Sequence, residues 1–283
     1  MEIKVQQKKA ENFLALHKQE KLLVLPNVWN PIGARILEVK GFTAAATSSA
    51  AISSSLGYRD GQKIKLSTHL DIIERIVNSV DIPVTADLEG GYASDIKSLV
   101  DSINKVIDTG VAGINIEDSV EKEGSLRNIE EQCKRIKTVR EVSEERGFHL
   151  VINARIDCFL SGSKEPIEKV IEEAVKRADA YINEGADCVY PIGVLDLETV
   201  STLRKEISSP INILGSHRSI SLITMQEIGV NRVTFGPFLF RSALKKFVNI
   251  IDELGDLKSY ECFSDDTYSY MEALQFLREE KEL

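Results

Sequence analysis

The sequence of 283 residues has few of the side chains that build disulfide frameworks and transition-metal sites. Its four cysteines are widely spaced and form no C-x-x-C pair: Cys133, Cys158, Cys188 and Cys262. Its four histidines include no pair spaced i, i+4, which argues against a zinc site. Carboxylates are the abundant ligand type, and they favour a hard cation such as Mg²⁺ or Mn²⁺.

The sequence also lacks an apolar run long enough to span a bilayer. Its first residues, MEIKVQQKKAENF, are typical of a polar, amphipathic helix rather than of a signal peptide, so we expect a cytoplasmic protein with no membrane partner. The 35 basic and 44 acidic residues give a formal charge of −9, which argues against a nucleic-acid partner. An anionic substrate would therefore need a local positive site or a metal.

Short apolar runs alternate with stretches of helical periodicity along the chain, and glycines suited to helix C-caps close several of these stretches. Strands are predicted over residues 22–25, 43–47, 82–87, 113–117, 150–155, 187–190, 211–214 and 232–235. Eight such β-then-α units predict an α/β protein with a (β/α)₈ TIM barrel, an N-terminal helix and a C-terminal helical tail. No linker divides the sequence, so residues 1–283 are expected to form one barrel domain, with 252–283 as the tail. A doubly wound sheet is the alternative, but no G-x-G-x-x-G follows the first strand.

Strand alternation places polar side chains on one face of three consecutive central strands. In IPVTADLE, GINIEDS and VINARID this face carries Thr85, Asp87, Glu89, Asn115, Glu117, Asn153, Arg155 and Asp157. A polar face does not pack against the surrounding helices, so these side chains are expected in the barrel interior. Their charges lie at the C-terminal strand ends, where (β/α)₈ barrels build active sites.

The converging charges comprise four carboxylates and one arginine: Asp87, Glu89, Glu117, Asp157 and Arg155. Such a set is hard to hold together unless a divalent cation offsets the negative charge, so Mg²⁺ is expected. Arg155 would then be free for a bidentate grip on a substrate carboxylate or phosphoryl group.

Six segments of the sequence resemble the isocitrate lyase/phosphoenolpyruvate mutase superfamily: LPNVWNPIGARILEVKGFTAAATSSAAISSSLGYRDG, PVTADLEGGYA, GINIEDS, VINARIDCFL, EGADCVYPIG and GVNRVTFGPFLFRSAL. The resemblance runs from about residue 22 to residue 244 and is closest to the small-chain branch labelled PEP mutase-like or 2-methylisocitrate lyase-like. It implies a (β/α)₈ barrel, commonly a homotetramer in which the last barrel helix is exchanged between subunits.

The resemblance implies that Mg²⁺ is held by carboxylates matching Asp87, Glu89 and Glu117. Glu89 departs from the aspartate of many relatives, and its longer arm would shift the metal or bind it through water. Asp60, in GYRDG, matches an aspartate that assists the chemistry, and Arg155 matches an arginine that binds the far anionic end of the substrate. The implied catalytic set is therefore Asp60, Arg155 and Glu117.

Substrate binding is assigned to two turns. By resemblance, Thr47, Ser48 and Ser49 hold the α-keto acid carboxylate, while Gly90 and Gly91 would either form a simple turn or let the backbone approach a ligand. Two neighbouring residues stand where relatives carry Trp-Asp and are expected to have a packing role: Trp29 and Asn30.

Members of the superfamily pass through an enolate of a small α-oxyacid, which Mg²⁺ stabilises. In isocitrate and methylisocitrate lyases, a Lys-Lys-Cys-Gly-His loop after the fourth strand provides a cysteine for proton transfer. Here the segment is SVEKEGSLRNIEEQCKRIK, in which Cys133 comes too late. We therefore expect a Mg²⁺-dependent lyase that cleaves a carbon–carbon bond of a small α-keto or 2-hydroxy acid, as in oxaloacetate decarboxylation.

Four alternatives stay open. One is P–C bond chemistry of the mutase or phosphonopyruvate hydrolase type, for which Lys122 and GSL form a degenerate loop, and another is 2-methylisocitrate cleavage. The turns GSHRS and FGPF would suit a phosphosugar enzyme, and a barrel that has lost its chemistry would be a binding protein.

Overall fold

The computed structural model describes residues 3–120, 125–160, 165–256, 260–263 and 267–277. Its strands are, in chain order, β1 (Leu23–Leu25), β2 (Asn27–Val28), β3 (Ala45–Thr47), β4 (Val84–Asp87), β5 (Gly113–Glu117), β6 (Ser119–Val120), β7 (Ser125–Leu126), β8 (Val151–Ile156), β9 (Cys188–Pro191), β10 (Asn212–Leu214) and β11 (Arg232–Thr234). Strands β6 and β7 form a small antiparallel hairpin. The other nine segments are the eight parallel barrel strands, because β1 and β2 are two halves of one strand.

The strands close into a ring. One arc has the order β2-β3-β4-β5-β8-β9 and the other the order β10-β11-β1. A parallel bridge between Val189 and Ile211 joins the arcs on one side, and the chain itself joins them at Pro26, between β1 and β2. Proline has no N–H to donate, so the strand changes partner there, from β11 to β3, at little cost in ladder hydrogen bonds. The (β/α)₈ barrel predicted from the sequence is confirmed.

Helices surround the barrel. They are α1 (Ile3–Leu16), α2 (Pro31–Val39), α3 (Ser49–Ser55), α4 (Leu66–Asn78), α5 (Ile96–Asp108), α6 (Ile129–Glu145), α7 (Ile167–Asn183), α8 (Leu197–Glu206), α9 (Leu222–Glu227), α10 (Phe238–Gly255) and α11 (Tyr270–Leu274). Their apolar faces and the outward strand residues form one continuous buried core. The expected tail begins inside α10 and includes α11 and a short 3₁₀ turn, Glu261–Phe263, and its last residues lie outside the described range. No helix in the described ranges has both the length and the apolarity needed to cross a bilayer.

The N-terminal helix packs on the N-terminal end of the barrel. The Gln6 side chain donates to the carbonyls of Ile107 and Val111, at 2.9 and 3.0 Å. Phe13 is fully buried and lies close to Gly113, the first residue of β5. The expected N-terminal helix is therefore confirmed, and it leaves the opposite end of the barrel for the site.

Most predicted strand bounds differ from the observed ones by one or two residues, β5 matches, and β2 was not predicted. Strand β4 ends at Asp87, as predicted, but the predicted alternation was extended two residues further, to Glu89. Glu89 has φ +52°, in the left-handed region, so it belongs to a turn and not to the extended strand. The prediction that Glu89 continues the alternation of Asp87 is therefore wrong.

We predict that Gly113→Ala destabilises the barrel by about 1–3 kcal/mol, the usual range for overpacking a core. A Cβ at this position would lie 2.7 Å from the carbonyl oxygen of Val151 and 3.0 Å from the Phe13 ring, so a strand or α1 must shift. The measurement is the thermal unfolding midpoint. Gly255→Ala, at the end of α10 with no atom within 4 Å of the added Cβ, is the matched control and is expected to change little. Equal midpoints for the two variants would contradict the tight packing at β5.

Candidate active site

A cavity of about 170 Å³ opens at the C-terminal ends of the barrel strands. Five predicted site residues line it: Ser48, Ser49, Asp60, Asp87 and Arg155. A larger groove of about 930 Å³ runs between α7 and α8 on the outside of the barrel, but it contains none of the predicted site residues. The smaller cavity is therefore the candidate active site.

Asp87 lies at the end of β4, and Ser49, the first residue of α3, holds its carboxylate. The backbone N–H and the hydroxyl of Ser49 both donate to Oδ2, at 3.1 and 2.8 Å. The backbone N–H of Asp87 itself donates to Thr47 Oγ1 at 3.0 Å. Among the described residues, Asp87 Oδ1 has one protein donor, the backbone N–H of Glu89 at 3.5 Å, so this oxygen is available to a ligand.

Glu89 does not point its carboxylate at a free metal position. The N–H groups of Gly61 and Gln62 donate to Oε2 at 2.8 and 2.7 Å, and the Tyr92 hydroxyl donates to Oε1 at 3.1 Å. These bonds hold the loop that carries Asp60 against the turn after β4. Burial, together with the charges of Asp60 and Asp87, raises the pKa of Glu89 to about 8. The longer glutamate side chain thus accepts hydrogen bonds from a loop that a shorter aspartate would not reach.

Arg155 is bound by two carboxylates on neighbouring strand ends. Its Nη1 lies 2.7 Å from Glu117 Oε2, directly across the β5–β8 register. Its Nε and Nη2 donate to the two oxygens of Asp157, at 2.7 and 2.8 Å. Although burial opposes its charge, Glu117 and Asp157 more than offset this and raise the pKa of Arg155. The expectation of a free guanidinium is therefore wrong.

Glu117 is also held from its other side, because the Ser119 hydroxyl donates to its Oε1 at 2.7 Å. Burial raises the pKa of Glu117, and the adjacent Arg155 only partly opposes this. Both oxygens of Glu117 therefore have protein partners.

Asp118, which the sequence analysis did not single out, fixes the chain between these groups. It is fully buried. Its Oδ2 accepts from the Tyr181 hydroxyl at 2.7 Å and from Arg177 Nη1 at 3.0 Å, both on α7. Its Oδ1 accepts from the backbone N–H of Asp157 at 3.0 Å. Since Asp118 follows Glu117 directly, this network sets the positions of both carboxylates that hold Arg155.

Gly90 and Gly91 pack against protein side chains in the turn after β4. Neither Gly90 nor Gly91 lines the cavity. A Cβ on Gly90 would lie 3.2 Å from Gln62, and one on Gly91 would lie 3.0 Å from Leu99. The absence of side chains makes room for protein packing, and Gly91, with φ +86°, also permits the tight turn.

Three other predicted residues act through packing or hydrogen bonds. Thr47 is fully buried and orients Asp87 rather than lining the cavity. Trp29 packs edge-on against Phe240, with ring centroids 5.2 Å apart, which agrees with its expected packing role. Asn30 caps α2 by accepting from the N–H of Gly33 at 2.9 Å.

The described residues contain no group of three or more His, Cys, Asp and Glu side chains arranged to hold a metal ion. The joint ligand set of Asp87, Glu89 and Glu117 is therefore not preformed, because protein donors occupy both oxygens of Glu89 and of Glu117. Mg²⁺ normally keeps several waters and binds through one or two carboxylates. Asp87 on the cavity wall, with the carboxyl groups of Glu89 and Glu117 behind it, fits a hydrated ion of this kind.

The segment after β5 brings no thiol to the cavity. Residues 121–124, including Lys122, lie outside the described residues. Cys133 lies in α6 and is not among the residues that line the cavity. Burial, with a smaller effect of the Glu184 charge, raises the pKa of its thiol and so disfavours the reactive thiolate.

Much of the cavity wall was not predicted, because its residues come from distant strands or from loops. They are Asn27, Ala50, Tyr190, Ile192, Leu214, Thr234, Gly236, Pro237 and Arg241, together with Asn115, which was predicted inside the barrel without a role. The segment FGPF, predicted as a site only for the phosphosugar alternative, supplies two of them. Strand parity placed Asn115 inside the barrel and would also have found Tyr190.

The comparisons with known proteins agree with this geometry. The family model described as phosphoenolpyruvate phosphomutase matches residues 13–254. A 2-methylisocitrate lyase from Aeropyrum pernix is 26% identical over 91% of this chain and 83% of its own length. A phosphoenolpyruvate phosphomutase from Tetrahymena pyriformis is 27% identical over 76% of this chain and 73% of its own.

Solved structures show the same fold. The crystal structure of a phosphoenolpyruvate phosphomutase from Streptomyces platensis subsp. rosaceus superimposes with a TM-score of 0.83 over 94% of both chains, at 21% identity. Because the family model covers most of the chain and the barrel agrees, the protein belongs to the phosphoenolpyruvate phosphomutase family, within the isocitrate lyase/phosphoenolpyruvate mutase superfamily.

Proposed function

We propose that the protein is a Mg²⁺-dependent lyase that acts on a small α-keto or 2-hydroxy acid through an enolate, cleaving a carbon–carbon bond as in oxaloacetate decarboxylation. The observation that carries this proposal is the small cavity, about 170 Å³, with Asp87 and two serines on its wall. This volume is below the range of about 300–1,000 Å³ that is usual for drug-sized ligands, and it favours a compact acid.

Asp87 is the side chain that would hold the metal directly, and a bound cation would favour the ionised forms of Glu89 and Glu117 behind it. Bound Mg²⁺, or Mn²⁺ in its place, would stabilise the negative charge that develops on the α-oxyacid. Ser49 keeps Asp87 oriented, and Ser48 lies beside it on the cavity wall. Asp60 faces the same space from the loop held by Glu89, which suits its assisting role.

No cysteine is among the described residues that line the cavity, which supports a reaction that ends with protonation by solvent. The sequence from Asp118 to Gln132 contains no cysteine, and Cys133 does not line the cavity. Cleavage of methylisocitrate by the cysteine-dependent route therefore lacks its donor here. Cleavage of a P–C bond is the main competitor, because a relative at 27% identity is named phosphoenolpyruvate phosphomutase.

We predict that the purified protein with Mg²⁺ accelerates the loss of oxaloacetate above the rate of the metal alone. The measurement is a Mg²⁺-dependent assay of a panel that also includes 2-methylisocitrate and phosphonopyruvate. Oxaloacetate loss at the metal-only rate, together with turnover of phosphonopyruvate, would replace this proposal with P–C bond chemistry.

We predict that Asp87→Ala abolishes Mg²⁺-dependent binding of oxalate, an enolate mimic, measured by isothermal titration calorimetry. A loss of about 100-fold or more is expected, since changes even outside the direct metal ligands cost 10–100-fold. The control is Asp101→Ala, which removes an exposed carboxylate from α5 and should leave binding unchanged. Full affinity in the Asp87 variant would contradict the metal assignment.

The proposal includes a homo-oligomer, a tetramer or dimer, in which a partner subunit covers α10. No residue of this helix is buried, although it exposes Leu244, Phe247, Val248 and Ile251 at 41–60% of their surface. Apolar side chains grouped on one helix are typical of an interaction surface.

We predict that Phe247→Glu lowers the molar mass in solution, measured by light scattering after size exclusion. A charge at the centre of the apolar face would be costly to bury between subunits. Ile223→Glu on α9, where the isoleucine is 72% exposed, is the matched control and should keep the native mass. A monomeric wild-type protein, or an unchanged mass in the Phe247 variant, would argue against an interface at α10.

A further inference from the structure

We propose that the side-chain amide of Asn115 donates hydrogen bonds to an oxygen of the bound acid, and that the buried Arg232 is a positioning residue that turns this amide towards the cavity. The inference deepens the proposed function and rests on it. It assigns a recognition group for the carboxylate or enolate oxygen of a small α-oxyacid.

Asn115 lies in the floor of the cavity. In the strand register it is opposite Asp87 on β4 and opposite Asn153 on β8. Its residual exposure is 6%, and it lines the cavity. The side chain therefore reaches the same space as Asp87, one strand away.

Two donors fix the orientation of the Asn115 amide. Its Oδ1 accepts from Asn153 Nδ2 at 2.8 Å and from Arg232 Nη2 at 3.3 Å. A guanidinium can only donate, so a reversed amide would set N–H groups against N–H groups. The oxygen must face Arg232, and the Nδ2 group must face away from it. That nitrogen donates to no described residue, so both of its N–H groups are available in the cavity.

Arg232 is suited to this positioning role because it is fully buried and held in place. Its Nη1 lies 3.5 Å from His17 Nε2, and its guanidinium lies 5.7 Å from the centre of the Phe13 ring. Among the described residues it forms no ion pair with a carboxylate. Burial lowers the pKa of Arg232 to about 10, which leaves the group charged at neutral pH. The amide oxygen of Asn115 is thus one of its few acceptors.

Asn115 adds a rigidly held amide donor to a wall whose other neutral donors include the hydroxyls of Ser48 and Tyr190. Arg155 is neutralised by Glu117 and Asp157, and the other acidic groups would repel an anionic acid. Fixed amide N–H groups stabilise oxyanions in enclosed sites without having to reorganise during the reaction. Asn115 can do this without drawing the carboxylates away from a metal ion.

The test is calorimetric titration of oxalate at saturating Mg²⁺ with Asn115→Ser and Asn115→Asp. The first removes the amide without adding charge, and the second keeps its shape and can pair with Arg232 but has no N–H. Both are expected to weaken oxalate binding roughly tenfold or more, the scale of a lost hydrogen bond to a charged group. The matched control is Thr85→Val, which changes a buried side chain on β4 that does not line the cavity and should leave the affinity within about threefold.

The role of Arg232 is tested with Arg232→Met, Arg232→Lys and the double variant Asn115→Ser/Arg232→Met, each checked by thermal unfolding. If Arg232 acts through Asn115, the methionine variant loses affinity, the lysine variant keeps most of it, and the double variant binds no more weakly than Asn115→Ser alone. If the affinity losses of the two single variants add in the double variant, the positioning role of Arg232 is overturned.

Failure of the proposed function and failure of this inference give different results. Wild-type protein that binds no oxalate with Mg²⁺ would overturn the proposed function and this inference with it. Wild-type binding that survives unchanged in both Asn115 variants would overturn the inference alone.

Discussion

The ion pairs of Arg155 are the interaction on which the rest of the site depends. One guanidinium joins Glu117 at the end of β5 to Asp157 just after β8, within 2.7 Å of each. Without it, two nearly buried carboxylates would face each other and Asp87 across a narrow mouth. Removing one partner of such a buried set costs far more than the net stability it provides, because uncompensated charge remains. Arg155 therefore organises the mouth first, and any role in substrate binding starts from this paired state.

The same logic explains why the carboxylates do not form a ready cage for a metal. Each is used to hold a segment in place: Glu89 holds the Asp60 loop, Asp118 holds the start of the segment after β5, and Glu117 holds Arg155. The carboxyl groups are concentrated, and Asp87 keeps an oxygen whose one donor among the described residues is distant, at 3.5 Å. A cation that retains its waters suits such a wall better than one that demands many protein ligands.

Two buried arginines place positive charge at the cavity: Arg155 at its mouth and Arg232 beneath its floor. Arg232 lies under the cavity floor, near His17 and Phe13 of the N-terminal region, and contacts the lining residue Asn115. In the proposed arrangement, the helix that packs on the far end of the barrel is linked through these contacts to the site at the other end. The barrel is shared with enzymes of different reactions, so specificity must come from contacts of this kind.

The sequence by itself determined the barrel, because the alternation of apolar strands with amphipathic helices allows few other arrangements. It also placed Asp87, Glu117 and Arg155 at strand ends on the interior face, because strand parity is a local property. Only the tertiary structure decided what these groups contact. Glu89 left the strand in a left-handed turn, Arg155 became paired, and the glycines made room for packing. Such outcomes depend on segments far apart in the chain, such as Arg232 and Asn115, which approach each other only when the barrel closes.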